Sequence, residues 1–218
     1  MISVALAAVA DPIAGALVAG GLFVLVVAFV VYMLRQRAYF DGPYRVLRSH
    51  CIWDLHEPGG DSAIVTKNLE VEFNYEAIAL SDHAWGDGDQ FANYVCEYGT
   101  PLEPRVRDGR TEYVLISLPA PKKRGEKAKL VSHRTVTGSF PGETEWVEYE
   151  LKQRSRSSII EVRFPTDREP RNVRLQRKSD GPTQDVTSSL DAEGDRKVFR
   201  EELRRSRKDA ILKLTWDW

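Results

Sequence analysis

The sequence has few cysteines and no net excess of charge, and these two features exclude several classes of protein. It contains two cysteines, Cys51 and Cys96, and they match neither a disulfide-stabilised scaffold nor a structural zinc site, which usually needs four nitrogen or sulfur ligands. The 31 Lys and Arg residues nearly balance the 32 Asp and Glu residues. A chain of this composition has no overall electrostatic attraction for nucleic acid.

Familiar catalytic motifs are also missing. The chain contains no Gly-rich phosphate-binding loop, no nucleophile elbow and no H-E-x-x-H zinc motif. Their absence weakens the case for an enzyme but does not exclude one. No residue is therefore assigned as catalytic, cofactor-binding or metal-ligating, and we expect a non-enzymatic protein without a cofactor.

What the sequence does contain is one long uncharged apolar run, residues 12–34. About 20 apolar residues in a helix are enough to span the hydrocarbon core of a bilayer. Asp11 and Pro12 are typical of the first positions of a helix. The sequence therefore predicts a short tail (residues 1–11), a transmembrane helix (residues 12–34) and a juxtamembrane linker (residues 35–43).

Two other interpretations of this run are less favoured. A buried core helix is rarely apolar on every side. A cleaved signal peptide is suggested by the small residues at positions 8–10, but no basic residue precedes them, and cleavage there would leave the apolar run in place. Within the run, Gly15, Ala16, Ala19 and Gly20 have the spacing that allows two helices to approach closely, so a homodimer is a further expectation.

The distribution of basic residues predicts the orientation of the span. No Lys or Arg precedes it, whereas Arg35, Arg37, Arg45 and Arg48 follow closely. By the positive-inside rule, the N-terminus lies outside and the large C-terminal region is cytoplasmic, at the plasma (inner) membrane. Both cysteines are then expected to be free thiols. The reverse orientation would give an extracytoplasmic ligand-binding domain with a Cys51–Cys96 disulfide.

Residues 44–218 alternate between apolar and polar positions in the manner of β-strands. The clearest case is residues 69–75, where Leu69, Val71, Phe73 and Tyr75 alternate with polar residues. Residues 76–112 have little regularity and are interpreted as loops around one short strand. Residues 196–210 are the one helix candidate, although a strand followed by a loop fits them equally well. The pattern predicts a mainly β fold, namely a single antiparallel β-sandwich domain, with the immunoglobulin type as the favoured architecture. Further strands are expected at residues 44–56, 94–98, 113–118, 130–140, 146–151, 158–164, 173–175, 186–190 and 211–218.

Three small constellations are candidates for chemistry. His50, Asp54 and His56 share one face of the first strand, so a metal site or an acid–base pair is conceivable. That face is opposite Trp53 and Leu55, and a solvated polar face is the simpler interpretation. A Cys51–His50 nucleophile is disfavoured because adjacent residues on a strand point to opposite faces. The third candidate is a calcium-binding turn, which is less favoured than an ordinary acidic turn; its residues are Asp82, Gly86, Asp87, Gly88 and Asp89.

Two basic stretches could hold a cytoplasmic domain against an anionic leaflet. They are residues 122–129 and 196–208, and acidic residues dilute both. A solvated surface is the simpler interpretation.

The sequence thus favours a single-pass membrane protein whose soluble domain recruits a protein partner at the cytoplasmic face. A membrane-tethered enzyme using His50, Asp54 and His56 is the main alternative, and the extracytoplasmic ligand-binding domain is a third.

Overall fold

The alternating pattern of the sequence becomes a set of β-strands that form three sheets. The computed structural model describes residues 21–22, 24–29, 43–85, 90–108, 111–151, 153–178, 183–186, 190–206 and 210–218. The contacts divide the chain into two compact units, residues 1–41 and residues 42–218.

In the first unit, residues 21–22 and 24–29 are helical and exposed. Within the described residues, no helix combines the length and the apolar character needed to cross a membrane. Most of the predicted span, including Gly15, Ala16, Ala19 and Gly20, lies outside the described residues.

The second unit is mainly β, as predicted, and its described part contains fourteen strands. They are β1 (Tyr44–Asp54), β2 (Ser62–Phe73), β3 (Ala77–Trp85), β4 (Ala92–Cys96), β5 (Thr100–Asp108), β6 (Thr111–Lys122), β7 (Lys127–Thr137), β8 (Thr144–Leu151), β9 (Ser155–Arg163), β10 (Arg171–Lys178), β11 (Gln184–Val186), β12 (Leu190–Glu193), β13 (Arg196–Ser206) and β14 (Ala210–Asp217).

The strands pair into one large sheet and two small ones. The large sheet has the order β12-β13-β9-β1-β2-β7-β4, the four-stranded sheet has the order β11-β10-β14-β8, and the three-stranded sheet has the order β3-β6-β5. Most neighbours are antiparallel, but β1 and β9 run parallel at the centre of the large sheet.

Both small sheets pack on the same face of the large sheet. Val65 and Val71 are separated by an even number of residues in β2 and so point to one face. Val65 belongs to a core shared with the four-stranded sheet, and Val71 belongs to a core shared with the three-stranded sheet. The two small sheets therefore lie side by side over one floor.

The first core is the more aromatic of the two. Trp216 of β14 lies 5.8 Å from Phe140 and 5.3 Å from Phe164, measured between ring centroids. Trp218 packs against Trp216 at 5.7 Å. The prediction that the C-terminal residues form a buried strand is confirmed for Leu212, Leu214 and Trp216, while Trp218 is partly buried.

Two parts of the predicted architecture differ from the structure. The parallel β1–β9 pair and the division of one layer into two sheets do not fit an all-antiparallel immunoglobulin-type sandwich. Residues 76–112 hold three strands (β3, β4 and β5) where the sequence predicted one. For the helix candidate, the sequence left a helix and a strand equally open, and residues 196–206 form strand β13 because they pair with β9 along its length.

Candidate functional site

A buried ion pair lies where the two small sheets meet over the large one. Lys67 lies on the inner face of β2, and its Nζ donates to Asp82 Oδ1 of β3 at 2.6 Å. The backbone N–H of His83 donates to the same oxygen at 2.9 Å. Tyr94 Oη and Ser132 Oγ donate to Asp82 Oδ2 at 3.1 and 3.4 Å. The carboxylate therefore accepts four hydrogen bonds, and this matches the requirement that a buried charge be paired.

The ion pair moves the pKa values of both partners away from neutrality. Burial favours the uncharged form of Asp82, but the neighbouring Lys67 and Arg134 outweigh it and hold the pKa of the carboxyl well below its usual range. Burial acts in the same sense on Lys67, and Asp82 again prevails, so the pKa of the ammonium is raised. Both groups keep their charge across the physiological pH range.

Above this ion pair, a cleft of about 310 Å³ separates the two small sheets. One wall comes from β3 and β6 of the three-stranded sheet, and the other comes from β8 and the residues that follow it. The inner face of the large sheet forms the floor. The lining of the cleft is rich in hydroxyl and aromatic groups. It includes Tyr44, Ser49, Lys67, Ser81, His83, Tyr113, Tyr149, Glu150, Gln153 and Ser155.

Two tyrosines of the cleft are neutral hydrogen-bonding groups. Burial raises the pKa of Tyr149 to about 12, and its hydroxyl is hydrogen-bonded to Ser49 Oγ on the floor. Burial also raises the pKa of Tyr44, whose hydroxyl donates to the backbone oxygen of Ser81 at 3.5 Å. The Tyr113 ring lies 6.3 Å from the His83 ring. Such a cleft can recognise a ligand by hydrogen bonding and aromatic contact.

A second cleft, of about 350 Å³, lies beside residues 138–142 and the first half of β8. It is of similar size, and Trp53, Gln90 and Glu145 contribute to its lining. The first cleft is the stronger candidate because a hydrogen-bonded ion pair and the hydroxyl groups of Tyr44 and Tyr149 converge on it.

The side chains of His50, Asp54 and His56 contact different partners. His50 Nε2 lies 2.9 Å from Glu161 Oε2 on the outer face of the large sheet. Asp54 accepts from Arg196 at 2.7 Å. His56 is exposed, with its Nε2 3.7 Å from Glu57. Among the described residues, no group of three or more His, Cys, Asp or Glu side chains is placed to hold a metal ion.

Glu161 is the centre of the outer-face cluster. Its side chain is fully buried beneath Arg163 and Arg200, which donate to it at 2.7 Å. Burial raises the pKa of the carboxyl, but the hydrogen bonds from Arg200, Arg163 and His50 outweigh this and lower it. The two arginines balance the negative charge of Glu161, and His50 donates a further hydrogen bond to its carboxylate.

The two cysteines are free and buried, and they lie too far apart to pair. Cys51, Lys67, Ser132 and Cys96 face one another in a row across β1, β2, β7 and β4. Three strand spacings separate the two cysteines by about 14 Å, twice the ~7 Å limit for the Cα atoms of a disulfide. The Cys51–Cys96 bridge considered for an extracytoplasmic domain is therefore wrong for this fold. Cys51 and His50 point to opposite faces, as predicted, since His50 binds Glu161 on the outer side.

Of the acidic turn residues, Asp82 is buried in the ion pair with Lys67, and positions 86–89 lie outside the described residues. In the basic stretches, Lys123 and Arg124 are exposed at the turn between β6 and β7. Arg196 and Arg200, by contrast, are bound to Asp54 and Glu161.

Neither Lys67 nor Tyr149 was identified from the sequence as a candidate site residue. A signal for Lys67 was present, because it lies in phase with Val65, Leu69 and Val71 and so falls on the buried face of its strand. A cation in an apolar register implies a buried partner.

No protein-family model and no curated protein matches this sequence. In three-dimensional structure, the chain is similar to a candidate nutrient-binding protein from Legionella pneumophila, with a TM-score of 0.52 and 11% identity over 83% of this chain and 68% of that one. It is also similar to a candidate protease from Parabacteroides distasonis, with a TM-score of 0.51 and 9% identity over 81% of this chain and 40% of that one. The chain thus spans less than half of the protease. At these identities the likeness establishes a shared backbone architecture.

Proposed function

We propose that this chain is a membrane-anchored, non-catalytic binding protein. Residues 12–34 anchor it in the plasma (inner) membrane, and residues 44–218 recruit a protein partner at the cytoplasmic face. The observation that carries the proposal is the cleft between the two small sheets, with Tyr113 and Tyr149 on its walls and Lys67 in its floor. Aromatic side chains with a polar group are the residues on which protein recognition most often depends.

The electrostatics of the cleft support binding over catalysis. General acid–base catalysis works best when the pKa of the catalytic group lies near the working pH. The pKa values of Lys67, Asp82 and Tyr149 are all displaced away from neutrality. Groups with one fixed protonation state suit recognition of a ligand better than proton transfer.

The structural neighbours are compatible with this choice. This chain covers 68% of the Legionella protein, which is described as binding a nutrient, but only 40% of the Parabacteroides protein. Most of the candidate protease therefore lies outside the shared architecture. The comparison lends more weight to binding than to proteolysis.

The proposal of a membrane anchor is based on the sequence. Residues 12–34 contain no charged side chain, and every Lys and Arg follows them. Burial of about 20 such residues in a bilayer and the positive-inside rule give the proposed topology. The small residues Gly15, Ala16, Ala19 and Gly20 would allow the anchor to pair with that of a second copy.

Site-specific photo-crosslinking in cells tests the binding function. A photoreactive amino acid replaces Tyr113 in the cleft of the full chain, and the matched control replaces Ile64, which is exposed on the outer face of β2. We expect a discrete protein adduct from position 113 alone. The adduct should disappear in a Ser81→Trp variant, because the larger side chain fills the cleft. Equal adducts from positions 113 and 64, or an adduct that survives the Ser81→Trp change, would overturn the proposal.

A further inference from the structure

The end of the domain at which the chain enters is built from three segments that hydrogen-bond to one another. The backbone N–H of Asn74 donates to the carbonyl of Pro43 at 2.9 Å. Phe73 exchanges backbone hydrogen bonds with the β6–β7 turn, accepting from Gly125 at 2.8 Å and donating to Glu126 at 2.9 Å. Residues 43, 74–78 and 122–126 are therefore neighbours, and we name them the Pro43 end.

The Pro43 end carries two exposed apolar side chains. Ile78 is 69% exposed and Tyr75 is 55% exposed. They lie within four residues of each other, in the segment that leads into β3 and at its start. Large apolar side chains exposed together are typical of a surface that contacts another molecule or a membrane.

Basic side chains flank this apolar surface at the same end. Lys123 and Arg124 are exposed and Lys122 is half-buried, and all three lie in or beside the β6–β7 turn. Lys122 Nζ lies 5.7 Å from the centre of the Tyr98 ring. The Pro43 end also contains two acidic residues, Glu76 and Glu126. Because it contains three basic residues, its net charge is positive. Exposed apolar groups rimmed by Lys and Arg are typical of surfaces that bind anionic lipid.

The length of the linker makes a bilayer the natural occupant. Only eight residues, 35–42, separate the proposed span from Pro43. A fully extended chain of eight residues reaches at most about 29 Å, so Pro43 stays near the bilayer surface in the anchored protein.

We propose that the Pro43 end forms a second membrane-contact surface, which lies on the anionic inner leaflet. Lys122, Lys123 and Arg124 contact lipid headgroups, while Tyr75 and Ile78 enter the interfacial region. This inference rests on the proposed anchor. It adds an orientation of the domain against the bilayer that an anchor alone does not require.

Spin-label accessibility in nanodiscs tests the surface. The full chain carries a nitroxide on an Ile78→Cys change, and the control carries it on Thr137→Cys, an exposed position at the opposite end of β7. The native Cys51 and Cys96 are buried, so the introduced thiol is the one that reacts. In nanodiscs of phosphatidylcholine with phosphatidylserine, we expect the accessibility of position 78 to a water-soluble nickel complex to fall severalfold relative to position 137. A Lys122→Glu/Lys123→Glu variant should restore it.

The outcomes separate this surface from the anchor. Equal nickel accessibility at positions 78 and 137 in a chain embedded in nanodiscs would overturn the surface and leave the anchor standing. If the full chain fails to embed, the anchor is overturned, and flotation of residues 42–218 with phosphatidylserine vesicles then decides the surface alone. That fragment is a compact unit containing both buried cores. Flotation that the Lys122→Glu/Lys123→Glu change abolishes would support the surface, and no flotation would refute it.

Discussion

At the scale of single residues, the pair Lys67–Asp82 links the three-stranded sheet to the large one. Lys67 belongs to β2 of the large sheet, and Asp82 belongs to β3 of the three-stranded sheet. Hydrogen bonds from Lys67 and Tyr94 hold the Asp82 carboxylate in place at the base of the cleft. The pair therefore supports the fold and shapes the candidate site at once.

Loss of one partner should be far more damaging than loss of both. An Asp82→Asn change leaves Lys67 as an uncompensated buried cation, and we expect the free energy of unfolding to fall by about 3–5 kcal/mol. The double variant Lys67→Met/Asp82→Leu removes both charges and should lose much less. Urea unfolding followed by tryptophan fluorescence measures both. The more exposed pair Arg45–Glu72 is the control, and Glu72→Gln should cost at most about 1 kcal/mol. A small loss for Asp82→Asn would contradict this account.

The same pair should shape the pH dependence of stability. The folded pKa of Asp82 is lowered, so its contribution is complete above the unfolded value of about 3.9 and is lost as pH falls below it. The folded pKa of Lys67 is raised, so its contribution is complete below about 10.4 and is lost as pH rises above it. We expect the midpoint of thermal unfolding to fall at both extremes. The Lys67→Met/Asp82→Leu variant should show a shallower decline, and an unchanged profile would count against the pair.

Single residues also show what the sequence could and could not predict. Lys67 was predictable because it falls in the apolar phase of β2. Glu161 was not, since it occupies the polar phase of β9 and its burial depends on Arg163 and Arg200 closing over it. The burial of a charge by neighbouring side chains depends on tertiary structure, which a single strand does not encode.

At the scale of the strand, β14 is the element on which the first core depends most. Trp216 contacts Phe140, Phe164 and Trp218. A Trp216→Ala change should lower the free energy of unfolding by about 3–5 kcal/mol, through lost burial and the cavity left behind. Trp146 of β8 is a matched control, because it lies opposite Thr215 and packs under Lys213 outside the core. Trp146→Ala should cost about 1 kcal/mol or less. Equal losses in urea unfolding would refute the assignment of Trp216 to the core.

Two segments were difficult to assign from the sequence, for identifiable reasons. Phe199 and Leu203 are four residues apart, which is typical of a helix face, yet both point inward from β13 because β9 supplies a partner strand. Pro101 and Pro104 made residues 100–108 look like a loop. Proline is tolerated there because β5 is an edge strand of the three-stranded sheet. Strands with clear alternation, such as β1 and β14, were predicted nearly to their ends, whereas only the second half of β2 was predicted.

At the scale of the whole molecule, the sequence predicted the fold class but not the arrangement of the sheets. Alternation specifies which residues point inward, not which strands pair. The parallel contact between β1 and β9 joins residues about 110 positions apart, as in the pair Cys51–Ile160. Because the candidate cleft exists only where two small sheets meet, it could not be predicted before the sheet order was known.

Thiol labelling with a membrane-impermeant reagent tests the proposed topology, in which a cytoplasmic domain is held at the membrane by residues 12–34. The full chain carries Thr137→Cys, an exposed position away from the Pro43 end, and the chain without this change is the control because Cys51 and Cys96 are buried. We expect the protein to stay in the membrane fraction after an alkaline wash, and the introduced thiol at position 137 to be labelled only after the cells are lysed. Labelling in intact cells, or release of the protein into the soluble fraction, would contradict it.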